Sequence, residues 1–230
     1  VSQWRFWHFE EKMTLFKVLH HPHMLLRKVS TPVLEFSSSL KEFTQIMIDT
    51  MMAYQGIGLA APQVGVLKRI TVVDVSPYLK SENLKEWHGH ARVMVNSKEV
   101  PLSFPLVLIN PVIVKKEQEG VFPLDGCLSL PGVSKSETKR FFSIQLEAYS
   151  PDRDLIQIET SGILSICLQH EIDHLDGILF VDRLIQPADK NEILADIQDF
   201  EEDPKERRKW KKLKTMDARA YVEAQSPRWT

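Results

Sequence analysis

The chain has little of what most function classes require. It carries only two cysteines, Cys127 and Cys167. Two are too few for a disulfide framework, so a reducing compartment is the default. No apolar run approaches the length of a membrane span. Residues 1–12 are aromatic and charged and lack the apolar core of a signal peptide, which argues against secretion. The formal net charge is -2, which gives no global pull toward nucleic acid or a membrane surface. The one glycine-rich stretch lacks the Gly-Lys-Ser/Thr ending of a phosphate loop and the spacing of a dinucleotide fingerprint. There is no internal repeat and no βαβ alternation.

What remains is an ordinary globular composition in 230 residues, 43% apolar and 26% charged. That length suits one well-buried domain with appendages. The first residue is Val1, and Met13 opens the first well-patterned segment. Residues 1–12 are therefore read as an N-terminal extension, of cloning origin or otherwise weakly specified. Ser39-Leu40-Lys41-Glu42 fits a capping box. Leu40, Phe43, Ile46, Met47 and Met51 then recur at helical spacing, which predicts a helix to about Tyr54. Residues 69–75 (RITVVDV) predict a strand, as do 106–114, 143–149 and 155–159. Residues 163–175 predict a second helix. Mixed order without alternation points to an α+β fold with antiparallel pairing. Residues 76–105 are polar and read as a long excursion. Its His88 and His90 mimic a metal pair but read better as exposed loop histidines. From Pro187 the character changes. Residues 192–203 are acidic and 205–214 (KERRKWKKLK) strongly basic, predicting a charged, helical extension over 187–230 that lies outside the core.

The sharpest local signal is His170-Glu171-Ile172-Asp173-His174. Residues four apart share a helix face, so both imidazoles can reach one metal ion. Glu171 lies next to the first ligand, where it can take a proton from water. The competing reading is a surface helix with incidental histidines. Ile163, Ile166, Cys167 and His170 fall on one stripe, which turns His170 inward, and a buried histidine pair needs partners. Two histidines need a third ligand, and no histidine follows His174. Upstream, Cys127 sits in Asp125-Gly126-Cys127-Leu128-Ser129. A thiolate there would complete a Cys-His-His set with a fourth position open. Taken alone, Cys127 reads as a small buried hydrophobe. Gly56-Ile57-Gly58-Leu59-Ala60-Ala61-Pro62-Gln63 reads as a close, rigid turn or a plain helix-to-strand connection.

Together these three segments resemble the peptide deformylase family, which shows GxGLAAPQ, EGCLS and QHExDHLxG segments in that order. The flanks agree at Leu26-Arg27, Pro32-Val33 and Ile109-Asn110-Pro111, and the likeness covers roughly residues 15–186. It implies a catalytic domain over 13–186, with antiparallel β-sheets around a central helix carrying the HExxH motif. The implied reaction is metal-dependent hydrolysis of the N-formyl group from the formyl-methionine of nascent polypeptides, releasing formate. By position, Cys127, His170 and His174 would bind one divalent metal ion. Fe(II) is expected in the cell, and Zn(II), Ni(II) or Co(II) is compatible with purified protein. Glu171 would be the general acid/base, and Gln63 with the backbone N–H of Leu128 would polarise the formyl oxygen. Gly58 would hold the peptide, and Ile57, Ile163, Ile166 and Cys167, with His170, would line the methionine pocket. The resemblance also implies a bacterial cytoplasmic enzyme, less readily an organellar one, with no membrane attachment. Its basic segment, with Lys205, Arg207, Arg208, Lys209, Lys211 and Lys212, could dock on the ribosome. Oligomeric state is not implied. One departure stands out: the family's Glu before Gly-Cys is Asp125 here, one methylene shorter, with Arg140 its expected partner. Two other readings stay open, a zincin-type metalloprotease and a degenerate homologue that binds without catalysis.

Overall fold

A computed structural model describes residues 15–132, 136–186, 190, 193–194 and 215–224. The fold is α+β, as expected. Seven strands form one antiparallel sheet: β2 (Gly58–Ala60), β3 (Ile70–Val73), β6 (Leu106–Asp125), β7 (Ser136–Tyr149), β8 (Leu155–Ser161), β4 (Ala91–Val95) and β5 (Lys98–Val100), in that spatial order. A second, two-stranded sheet pairs β1 (Leu15–Phe16) with β9 (Thr215–Met216) and is parallel. The two principal helices are α1 (Ser38–Ala53) and α3 (Gly162–Leu175). Short helical turns are α2 (Ser76–Leu79) and α4 (Ala218–Ala224).

The long strands β6 and β7 dominate the sheet. Their register shifts between Ile109 and Val112, between Ile113 and Lys115, and between Phe122 and Asp125. Each irregularity adds local twist and bend. The third one ends the strand at Asp125, immediately before Gly126 and Cys127. Helix α3 contacts β2, β3, β6, β7 and β8. All fourteen of its residues are buried. The one-sided stripe expected from Ile163, Ile166, Cys167 and His170 is therefore not how this helix is built. It is enclosed on every side, which is why its polar residues all require partners.

Helix α1 packs on a separate apolar cluster in which Phe16, Leu40, Phe43, Met47, Met51, Leu59, Ile70 and Ile109 are buried. Its N-cap is Ser37, whose Oγ accepts from the Leu40 N–H at 3.3 Å. The capping box expected at Ser39 does not form: the N-cap lies two residues earlier, its N3 residue is Leu40, and Ser39 sits inside the first turn with its hydroxyl 2.8 Å from that of Ser37.

Two further expectations are corrected. The 76–105 excursion is not loose. Its β4 pairs antiparallel with β8 and its β5 with β4, which extends the main sheet by two strands. The C-terminal segment is not wholly outside the core. At residues 215–224 the chain returns: β9 pairs with β1, Ala218 and Val222 are buried in the α1 cluster, and Tyr221 Oη donates to Glu42 at 3.2 Å. The apolar spacing of Ala218, Tyr221 and Val222 secures this return. The N-terminal extension 1–12 and the basic run 205–214 lie outside the described residues.

Phe43 is fully buried, and its ring centroid is 5.1 Å from that of Phe16. Phe43→Ala should cost about 3–5 kcal/mol of folding stability. A urea titration checks this, with a lowered midpoint at unchanged slope as the expected outcome.

Candidate metal centre and its buried charges

Two separate stretches meet at one point. Cys127 follows the end of β6, and His170 and His174 project from consecutive turns of α3. One ligand atom from each of these three residues lies within 4.8 Å of the other two. Cys127 Sγ is 3.1 Å from His174 Nε2. Metal–ligand bonds of about 2.0–2.3 Å in tetrahedral geometry put ligand atoms roughly 3.3–3.8 Å apart, so small adjustments would accommodate an ion. Among the described residues this is the one cluster of three such side chains. The donor set fits a divalent ion: a thiolate and two imidazoles, with buried Glu171 Oε2 and His174 Nδ1 lacking a partner among the described residues.

His170 is aimed by its back side. Its Nδ1 lies 2.8 Å from Asp125 Oδ1. That contact leaves Nε2 for the centre. The other carboxylate oxygen of Asp125 accepts from Arg140 Nη2 at 2.8 Å, Arg140 Nε at 3.1 Å and Thr138 Oγ1 at 2.9 Å. The pairing of Asp125 with Arg140 expected from sequence is present. Arg140 Nη1 continues to Asp173 Oδ2 at 2.5 Å, and Arg183 Nη2 closes on Asp173 Oδ1 at 2.7 Å. A chain of contacts thus runs from His170 through Asp125, Arg140 and Asp173 to Arg183. The first four are almost fully buried.

The charges set one another's protonation. Burial alone would raise the Asp125 carboxyl, but His170 and Arg140 outweigh it and hold it far below the usual range. Burial alone would lower His170, but the Asp125 carboxylate holds it well above the ordinary value. His174 goes the other way, held well below by burial and by His170 beside it. The Glu171 carboxyl is pushed up to about 7, first by burial, with Asp125 adding and His170 opposing.

Gly58 makes room for Glu171. A Cβ on Gly58 would lie 2.2 Å from Glu171 Oε1 and 2.7 Å from its carboxyl carbon. Only a residue without a side chain lets β2 pass this close. Gln63 is buried and fixed at both ends of its amide: Oε1 accepts from the Ala60 N–H at 2.7 Å, and Nε2 donates to Ser129 Oγ at 3.2 Å and faces Cys127 Sγ at 3.5 Å. Leu128 is half-buried beside Cys127 and packs on the α1 cluster. Ile57, Ile163, Ile166 and Cys167 share the second apolar cluster with Phe122 and Leu146. Cys167 Sγ lies 3.5 Å from the Ile57 carbonyl oxygen, and burial holds its thiol well above the ordinary value, so it is unreactive. His88 and His90 do not form a pair. His88 Nε2 contacts the Ser81 carbonyl at 3.1 Å, and His90 Nδ1 contacts Ser161 Oγ at 2.7 Å.

Sequence reasoning missed the contact from Asp125 to His170, because it assigned that carboxylate to Arg140 alone. It also missed Gln169. The Gln169 amide accepts from the Phe141 N–H at 2.9 Å and donates to the Phe141 carbonyl at 2.6 Å, which stitches α3 to β7. Spacing carries no signal for either contact. A buried acid one residue before Gly-Cys was the available hint.

The polypeptide deformylase family model matches residues 15–190. A peptide deformylase of Desulfitobacterium hafniense is 38% identical over 171 residues, which is 74% of this chain and 95% of the relative. One from Acetivibrio thermocellus is 40% identical over 169 residues, 74% of this chain and 83% of the relative. Among solved structures, a peptide deformylase from Legionella pneumophila superposes with a TM-score of 0.66 at 32% identity, covering 82% of this chain and 96% of its own. One from Synechococcus elongatus, in complex with actinonin, gives 0.65 at 30% identity, covering 80% and 86%.

Removing the Arg140 cation would leave buried Asp125 and Asp173 short of their shared partner, with only His170 and Thr138 on the one and Arg183 on the other. Arg140→Ala is therefore expected to destabilise the fold by about 3–5 kcal/mol, measured by urea unfolding.

Proposed function

The chain belongs to the peptide deformylase family, metal-dependent hydrolases that remove the N-formyl group from the N-terminal methionine of nascent peptides, and on that premise we propose how its own residues divide the work. Family membership decides against the protease left open by sequence, and the presence of Cys127, His170, His174 and Glu171 around one point supports catalysis over binding alone. The observation that carries the assignment is the convergence of Cys127, His170 and His174 on one point, with Glu171 adjacent to His170 and pressed against Gly58.

Residues 13–186 form the catalytic domain in this reading, in support of which the family match spans 15–190. Cys127, His170 and His174 hold one divalent ion, Fe(II) in the cell and Zn(II), Ni(II) or Co(II) where purification exchanges it. When bound, the ion polarises the formyl oxygen as a Lewis acid and lowers the pKa of water at the site. Glu171 takes a proton from the water whose oxygen attacks the formyl carbon. Its pKa of about 7 suits both halves of that task near neutrality. Gln63 Nε2 and the Leu128 N–H donate to the formyl oxygen as negative charge develops there. Glu171 then delivers its proton to the departing amine nitrogen as the C–N bond breaks. Formate and a free methionine amine result. The Gly58 backbone receives the peptide, and Ile57, Ile163, Ile166 and Cys167 receive the methionine side chain.

No helix among the described residues is long and apolar enough to cross a membrane. In our reading the enzyme works in the bacterial cytoplasm, and the basic run 205–214 meets ribosomal phosphates. Salt-sensitive co-sedimentation with ribosomes tests that contact, and salt-insensitive or absent co-sedimentation contradicts it.

Formate release from a formyl-Met peptide, with protein purified without oxygen, tests the assignment. Glu171→Ala should lose turnover by about 10²–10⁴-fold while keeping its metal. Cys127→Ala should lose both activity and metal. Retention of full metal content and turnover by Cys127→Ala would contradict the ligand set. Gly58→Ala should displace Glu171 and lower kcat by about 100-fold, with circular dichroism unchanged.

A further inference from the structure

Residues 82–90 take no part in the chemistry described above, yet they are clamped to the helix that carries it. The His90 carbonyl accepts from the Ser161 N–H at 2.9 Å and from Thr160 Oγ1 at 2.8 Å. The His90 N–H donates to Ser161 Oγ at 3.0 Å. Ser161 is the N-cap of α3. The two backbones touch: a Cβ on Gly162 would lie 2.2 Å from the Trp87 carbonyl oxygen, and one on Gly89 would lie 2.3 Å from that of Ser161. Trp87 is thereby fixed to the turn that leads directly into Ile163.

The indole also touches two aromatic rings of the main sheet. Its ring stands edge-on to Phe122 at 5.1 Å and 81°, and its centroid is 6.3 Å from that of Phe142. Phe122 lies on β6, three residues before Asp125. Trp87 packs on the same apolar cluster as Ile57, Ile163, Ile166 and Cys167. Unlike Ile163 and Ile166, which are 4% and 3% exposed, Trp87 is only half-buried. Its Nε1 donates to Glu86 Oε1 at 3.0 Å, with that edge toward solvent. The ring thus has one side in the cluster and one part open, which is the disposition of a wall rather than of a core filler.

We propose that Trp87 is a specificity-determining residue: its indole closes the apolar end of the site and packs against the first side chain of the formyl peptide. This rests on the deformylase reading and extends it to a residue supplied by the 76–105 excursion. A broad aromatic face offers large contact area to a long apolar side chain, and a thioether gains a further sulfur–aromatic contact. A short first side chain cannot reach it.

The test compares formyl-Met-Ala-Ser with formyl-Ala-Ala-Ser in the metal-loaded wild type, Trp87→Ala and Trp87→Phe, with melting temperature and metal content read alongside. Trp87→Ala should raise KM for the methionine peptide about tenfold with kcat within threefold, and lower the Met-over-Ala ratio of kcat/KM about tenfold. Trp87→Phe should recover most of that preference. An unchanged ratio in Trp87→Ala overturns the proposal. So does a fall in kcat and metal content at constant KM, which is the signature of a brace. Should Trp87→Ala fail to fold, Trp87→Leu replaces it with the same expected and contrary results. Absence of formate release by the wild type is a separate outcome: it overturns the deformylase reading itself, and this proposal with it.

Discussion

The site depends on one carboxylate. Asp125 lies at the end of β6, and its two oxygens face different partners: one meets His170 on α3, the other meets Arg140 on β7. Burying a carboxylate is costly unless opposite charge and hydrogen bonds surround it. Here both are present, and satisfying them fixes three elements relative to one another. The register of the β6–β7 pair, the rotation of α3 and the direction of the His170 ring follow from a single set of contacts. Cys127, two residues along, is placed by the same anchor. Though one methylene shorter than a glutamate, Asp125 reaches both His170 and Arg140.

The surrounding fold keeps that cluster dry and rigid. Helix α3 has no solvent face, and most of its polar side chains are tied to a neighbouring element. Gln169 binds the β7 backbone, Asp173 binds Arg140 and Arg183, and Glu171 fits the gap that Gly58 leaves. The enclosed surroundings raise the pKa of Glu171 and hold His174 neutral. Beyond this centre, the chain extends the sheet with β4 and β5 and passes residues 215–224 back across α1. The outer strand β5 carries charged Lys98 and Glu99, which suits an exposed sheet edge. The family match ends at 190, so the returning segment belongs to the part of the chain beyond it.

Much of this was legible in the sequence, and the failures have identifiable causes. The His170–His174 spacing places two imidazoles on one face by helix geometry alone, and β-branched runs mark β3 and β8 correctly. The antiparallel α+β class follows from element order. Periodicity misjudged α3, because a helix buried on all sides carries no contrast between faces. It cut β6 short at Val114, because the later residues of that strand are charged and exposed. The 76–105 excursion reads as polar in composition, yet its strands form because an open sheet edge at β8 accepts them, a non-local condition invisible in the segment itself. The return of the C-terminal strap is likewise decided by the space beside Phe16 and Phe43. The Asp125–His170 contact joins residues 45 positions apart and leaves no local trace.

The most direct measurement is the zinc affinity of Asp125→Asn against wild type, by competition with a chromophoric chelator. The substitution keeps the shape of the side chain and removes the charge that sets the basicity and direction of His170. If Asp125 organises the centre, affinity falls about 10–100-fold while the protein remains folded by circular dichroism. Wild-type affinity in the folded variant would contradict the account and would reduce Asp125 to a partner for Arg140 alone.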